Sequence, residues 1–125
     1  MDDLSFKTAL MKYGLCDHYE FHELFVEEFI ASVSKSGEER IIVNQFFRRL
    51  AIIINLDNLN CGLPWLEPLK NCDLYSLHID TKSKNYRMLF SVQPNGKLFL
   101  RMFDEKSRKG KASYSPNIKI ALSRK

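Results

Sequence analysis

The side chains best suited to chemistry lie in the second half of the chain. His78 has an ordinary pKa that allows proton transfer near neutrality. It sits in a short alternating run with Tyr75, Leu77 and Ile79, so it reads either as a proton-transfer group or as a structural histidine. The run Glu105-Lys106-Ser107-Arg108-Lys109-Gly110-Lys111 gathers four cations in one segment. Cations held together lower one another's pKa, which makes Lys106 and Lys109 candidate proton donors as well as phosphate anchors. Arg108 and Lys111 extend the same patch, although such a run is also what a solvated loop looks like. Lys82, Lys84, Arg87 and Arg101 add cations upstream. Tyr114 offers a ring that could stack on a nucleobase or pin a helix to a sheet.

One other constellation invites a metal reading: Cys16-Asp17-His18 with His22 one helical turn on. Zinc sites take ligand pairs at characteristic short spacings, and these histidines read better as polar surface residues. No metal and no other cofactor is expected. The three cysteines, Cys16, Cys61 and Cys72, form no CxxC pair and are odd in number, which fits a reducing compartment rather than a disulfide framework.

Charge is divided unevenly along the chain. Residues 1–62 carry six Lys/Arg against ten Asp/Glu, whereas residues 63–125 carry thirteen against five. A domain with one basic half suits a polyanionic partner such as RNA or DNA, with a solvated basic surface as the plainer alternative. The 125 residues are 45% hydrophobic and include nine Phe, enough to build the core of one domain. Disorder is excluded by that hydrophobicity. No apolar run approaches the ~20 residues of a membrane span, and the acidic Met1-Asp2-Asp3 start is unlike a signal peptide. A cytoplasmic protein without membrane contact is expected.

The elements that must position these residues follow from periodicity. Asp17-His18-Tyr19-Glu20 has capping-box spacing, and Phe21, Leu24, Phe25, Phe29 and Val33 then recur at three- and four-residue steps. The opposite face of this helix is acidic. A second box at Ser36-Gly37-Glu38-Glu39 precedes Ile42, Val43, Phe46, Phe47, Leu50, Ile53 and Ile54, a longer apolar stripe stopped by Asn58, Asn60 and Gly62. These two helices form a hairpin that needs a sheet to cover. After Pro64 the period becomes two. Leu74–Ile79, Tyr86–Gln93 and Lys97–Asp104 read as strands, the last two joined through Pro94-Asn95-Gly96. Tyr86, Met88, Phe90 and Val92 share one face, and Arg87, Leu89 and Ser91 the other. A two-residue turn would oppose Phe90 to Arg101 and a three-residue turn to Met102; the apolar match favours the second. Ser115 reads as the cap of a short last helix with Pro116 in its first turn. Residues 4–10 are ambiguous between an edge strand and a helical turn, with the strand preferred. The fold class is therefore α+β: an N-terminal helical hairpin on a twisted antiparallel sheet of three to four strands, then a short C-terminal helix, all in one domain over residues 1–125.

Glu67-Pro68-Leu69-Lys70, Leu74–Ile79 and Tyr86-Arg87-Met88-Leu89-Phe90 resemble the central run of the RelE/ParE superfamily of toxins. Leu100–Lys109 and Ile118-Lys119-Ile120-Ala121 resemble the closing segment of its HigB-like, phage-associated branch. The likeness is loose over residues 20–125 and closer over residues 64–125. Asp73 stands where the family has glycine, His78 where it has arginine, and Glu105 where it has one of a pair of lysines.

The resemblance implies a RelE-like fold and the toxin of a type II toxin–antitoxin system. Its activity would be a metal-independent endoribonuclease acting on mRNA, ribosome-dependent, arresting translation. In that chemistry the ribose 2′-hydroxyl attacks the adjacent phosphate, which calls for a base, a cation at the pentacovalent phosphate and an acid for the leaving oxygen. Arg87 would hold the phosphate, its planar fork matching two oxygens, unless it is an exposed strand arginine paired with Asp104 or Glu105. Lys106 and Lys109 would assist. Glu67 resembles the catalytic base of the YoeB-like branch, and otherwise caps a loop. Lys82, Lys84, Arg101, Arg108, Lys111 and Tyr114 would bind RNA. The implied partners are mRNA, the ribosome and a cognate helix-turn-helix, HigA-like antitoxin. A ParE-like inhibitor of DNA gyrase and a non-catalytic RNA-binding module are the alternatives.

Overall fold

The computed structural model describes residues 1–106 and 110–125. It is an α+β structure of four helices and a five-stranded mixed sheet: α1 (Asp3–Lys12), β1 (Tyr19–Phe21), α2 (Glu23–Ser36), α3 (Glu39–Ile53), β2 (Leu66–Pro68), β3 (Tyr75–Asp80), β4 (Asn85–Gln93), β5 (Gly96–Asp104) and α4 (Gly110–Arg124). The strands lie in the order β1-β5-β4-β3-β2, antiparallel except for β1, which runs parallel to β5. Among the described residues no helix is long and apolar enough to cross a membrane.

The helical hairpin forms as its periodicity predicts. Phe25, Phe29 and Val33 of α2, and Ile42, Phe46, Phe47, Leu50 and Ile53 of α3, are fully buried against the sheet. They meet Leu77, Ile79, Met88 and Phe90, the inward positions of β3 and β4. Phenylalanines dominate this core: Phe29 and Phe46 stand 4.7 Å apart, and Phe90 and Phe99 4.8 Å. Aromatic pairs at such separations add ~0.5–1.5 kcal/mol each beyond their burial. A second, smaller core lies on the other face of the sheet, where Leu74, Leu89, Leu100 and Phe103 pack against Ala121 of α4. Val92, expected on the main core face, is 53% exposed at the end of β4.

Four expectations are corrected. Residues 4–10 are helical, not extended. Asp2 caps α1 by accepting from the Ser5 amide at 2.8 Å, and one helical face then brings Phe6, Ala9 and Leu10 to the core. The Asp17–Glu20 box does not start a helix. Tyr19–Phe21 instead extends along β5, burying Tyr19, whose hydroxyl donates to the Leu50 carbonyl at 2.7 Å. The helix begins after His22, whose Nδ1 accepts from the Leu24 amide. The second box also fails as a box: Gly37 ends α2 in the left-handed conformation, and Ser36 Oγ accepts from the Glu38 amide. Finally, α4 begins five residues before Ser115, leaving Pro116 inside it. Proline forgoes one helical hydrogen bond there, and the Asn117 side chain donates to the Ser113 carbonyl at that turn.

Neither of the registers weighed from sequence holds between β4 and β5. The turn is Pro94-Asn95, pairing Gln93 with Gly96 and Phe90 with Phe99. A shift between Leu89 and Phe90 leaves Leu100 as the extra residue, so Leu89 faces Arg101 and Met88 faces Met102. The Leu100 carbonyl is taken by Arg124 at 2.8 Å. The sheet is also wider than the three or four strands expected, because β1 and the Pro-containing edge strand β2 carry too few residues to show a period.

Candidate functional site

Strand alternation gathers the site on the α4 side of the sheet. His78 on β3 lies directly opposite Arg87 on β4, and Glu67 on β2 lies opposite Ser76, two residues before His78 on the same face. The first turns of α4 bring Tyr114 over them. These groups line a cleft of 560 Å³ with Lys70, Glu105 and Ile118. A larger hollow of 640 Å³, between residues 56–60 and 72–75, has no histidine or arginine in its lining.

His78 Nε2 is 3.2 Å from Glu67 Oε1 and 3.3 Å from the Tyr114 hydroxyl. That hydroxyl is also 2.9 Å from Ser76 Oγ, and the ring packs edge-on against Phe103 at 5.2 Å. Glu67 and Tyr114 thus meet on one ring nitrogen of His78, and Tyr114 links that cluster to the buried Ser76. The main chain of His78 is bracketed as well. Its amide donates to the Trp65 carbonyl at 2.8 Å, and its carbonyl accepts from Arg49, whose guanidinium lies over the Trp65 ring.

Burial, then the charge of Arg87, lowers the His78 pKa from the ordinary histidine value, while Glu67 pulls it back. His78 is thus neutral at pH 7 and able to accept a proton. Burial pushes the Tyr114 hydroxyl up to about 12, so it keeps its proton and serves as a hydrogen-bond donor. Glu67 is half exposed at the mouth of the cleft.

Arg87 is paired with Glu105, one of the two partners weighed from sequence, but it is buried rather than exposed. It faces away from α1–α3 as the alternation requires, yet is only 8% exposed. Its Nη1 donates to Asp80 at 2.7 Å and to the Tyr86 carbonyl at 2.9 Å, and its Nε donates to Glu105 at 2.9 Å. Burial opposes the charge, but these carboxylates outweigh it and raise the Arg87 pKa. Nη2 makes no hydrogen bond among the described residues and is the edge left for a ligand.

The other predicted cations do not all join the cleft. Lys106 is exposed and lines a neighbouring depression with Ser83, Lys84 and Asp104; Lys84 pairs with Asp104 at 3.4 Å. Lys82 is exposed and outside the cleft lining. Arg101, expected to bind RNA, is instead a structural cation: it donates to Glu28 of α2 and, at 2.8 Å, to Asn117 of α4. Its place beside the β5 bulge puts both helices within reach. Arg108 and Lys109 lie outside the described residues, as does the side chain of Lys111.

Sequence reading missed Ser76 and Lys70. Ser76 could have been found, since it precedes His78 by two on one strand; Lys70 follows a strand too short to show periodicity. Asp80 was also missed as a partner of Arg87. Compared with known proteins, the chain matches no family model, no curated protein and no solved structure.

Proposed function

We propose that this protein is an endoribonuclease of the toxin type, cutting mRNA by attack of a ribose 2′-hydroxyl on the adjacent phosphate. The observation that carries the reading is the meeting of Glu67, His78 and Tyr114 opposite Arg87 in one open cleft. His78, neutral and with its Nε2 proton held by Glu67, takes the proton of the 2′-hydroxyl on its other ring nitrogen. The O2′–P bond forms, the P–O5′ bond breaks, and the leaving 5′-oxygen takes a proton from water. Arg87 Nη2 and the Tyr114 hydroxyl donate to the oxygens on phosphorus as negative charge builds there. The reaction so written needs no metal. Lys70 and the Lys106–Lys111 segment hold the strand, the ribosome presents the mRNA, and a HigA-like antitoxin silences the protein in the cytoplasm. The RelE-like, HigB-like kinship belongs to this proposal and rests on the sequence motifs.

A reading without cleavage, as RNA-binding module or ParE-like gyrase inhibitor, draws on one observation: Arg87 is already paired to two carboxylates. Induced expression in a bacterial host, beside His78→Ala and Arg87→Ala copies, separates the readings when the 5′ ends of cellular mRNA are mapped. Growth arrest with new cuts inside translated codons, lost in both variants, is the expected result. Arrest with intact mRNA and damaged DNA would establish the gyrase reading instead.

A further inference from the structure

Among the described residues, the cleft that would receive a phosphate holds more carboxylates than cations. Lys70 and Arg87 line it, but so do Glu67 and Glu105, and Asp80 sits on Arg87 from outside. Among the described residues three carboxylates face two cations, so an incoming anion competes with carboxylates already on Arg87 until one of them withdraws. Glu105 is the one placed to do so. Its amide continues the β-ladder by donating to the Asn85 carbonyl at 2.8 Å, which fixes its backbone. Its side chain alone bridges to Arg87 Nε. Glu105 also lines the adjoining depression of 320 Å³ with Lys84 and Lys106. A rotation about its side-chain bonds would carry the carboxylate from one cation to two others without moving the strand.

We propose that Glu105 is an internal competitor for the anion site of Arg87, occupying the place of a substrate phosphate and yielding to it by swinging toward Lys84 and Lys106. The proposal rests on the nuclease reading for the identity of the ligand, a phosphodiester of single-stranded RNA. In the resting protein Arg87 is masked; in the liganded protein Nε and Nη2 together offer the two-pronged edge that matches two phosphate oxygens.

The test is binding, read without cleavage. Wild type, Glu105→Gln and the double variant Arg87→Ala/Glu105→Gln are titrated calorimetrically with inorganic phosphate and with a short single strand carrying 2′-deoxy sugars. Glu105→Gln is expected to bind both probes about tenfold more tightly than wild type, and the gain to vanish without Arg87. Equal or weaker binding by Glu105→Gln, or a gain that persists without Arg87, would overturn the proposal. Glu105→Asp, too short to reach Nε, serves if the glutamine variant does not fold; it too must bind more tightly than wild type. A tighter-binding Glu105→Gln whose parent cuts no RNA would sustain the masking and sink the nuclease. A parent that cuts, with a variant that binds no more tightly, would do the reverse.

Discussion

At the residue scale, the behaviour of His78 follows from its neighbours. Burial and Arg87 favour the neutral imidazole, and Glu67 favours the charged one. Replacing Arg87 by Gln should therefore raise the His78 pKa, and replacing Glu67 by Gln should lower it further, both measured by NMR titration of the ring protons. A shift of either in the other direction would break the assigned contacts. The same depression has a stability consequence. The unfolded chain binds the proton near the ordinary value of about 6.5 and the folded chain only below it, so stability is lost as the pH falls through that window. Denaturant titrations at pH 7 and 5.5 should show wild type losing more stability than His78→Gln. Tyr114→Phe keeps the packing on Phe103 but strips Ser76 of its partner in a buried setting, which should cost ~1–2 kcal/mol. Glu67, His78, Arg87 and Tyr114 were all legible as candidates from residue type and neighbouring motif. The two carboxylates on Arg87 were only half legible: Glu105 is close to the basic run, whereas Asp80 reaches Arg87 only because β3 and β4 pair.

At the element scale, the edge between β1 and β5 depends on one glycine. Gly96 has φ 143°, and a Cβ there would lie 2.6 Å from the His18 carbonyl oxygen, which accepts from the Lys97 amide at 3.1 Å. Gly96→Ala combines backbone strain with that collision and should destabilise the protein by about 2–4 kcal/mol. Hydrogen exchange should show the loss first at Tyr19–Phe21; unchanged exchange there would mean that β1 holds without the close approach. The Asn-Gly signal thus located the hairpin correctly but for an additional reason, since the glycine serves the neighbouring strand as well as the turn. Elements with a long, clean period (α2, α3, β4 and β5) were legible because burial on one face dictates it. The three-residue strands β1 and β2 were not, because so few residues show no period, and the partner of β1 lies far along the chain.

Across the whole molecule, Glu28 ties together elements distant in sequence. Its carboxylate accepts from Arg101 on β5, from Arg124 on α4, and from the Met102 amide at 3.1 Å, on the β5 edge beyond the end of β1. Burial opposes its charge, but these donors outweigh it and hold the carboxyl below its ordinary value. That stability is present above the unfolded carboxylate pKa of about 4.3 and is lost as the pH falls through the folded one. Glu28→Ala leaves two half-buried guanidiniums unpaired and should cost ~2–3 kcal/mol at pH 7 in a thermal or denaturant melt, with a smaller difference at pH 3. A neutral substitution would show that Arg101 and Arg124 find other partners or water.

The sequence by itself determined the fold class, the helical hairpin, the central strands and the residue types available for chemistry. Each of these follows from local periodicity or from the chemistry of a single side chain. Only the tertiary structure decided which of those residues meet. The pairing of β2, β3 and β4 and the early start of α4 put Glu67, His78, Arg87 and Tyr114 around one cleft, and the β5 bulge withdrew Arg101 into a structural ion pair. Contacts across strands depend on register, and register is settled by the packing of the whole sheet rather than by any one segment.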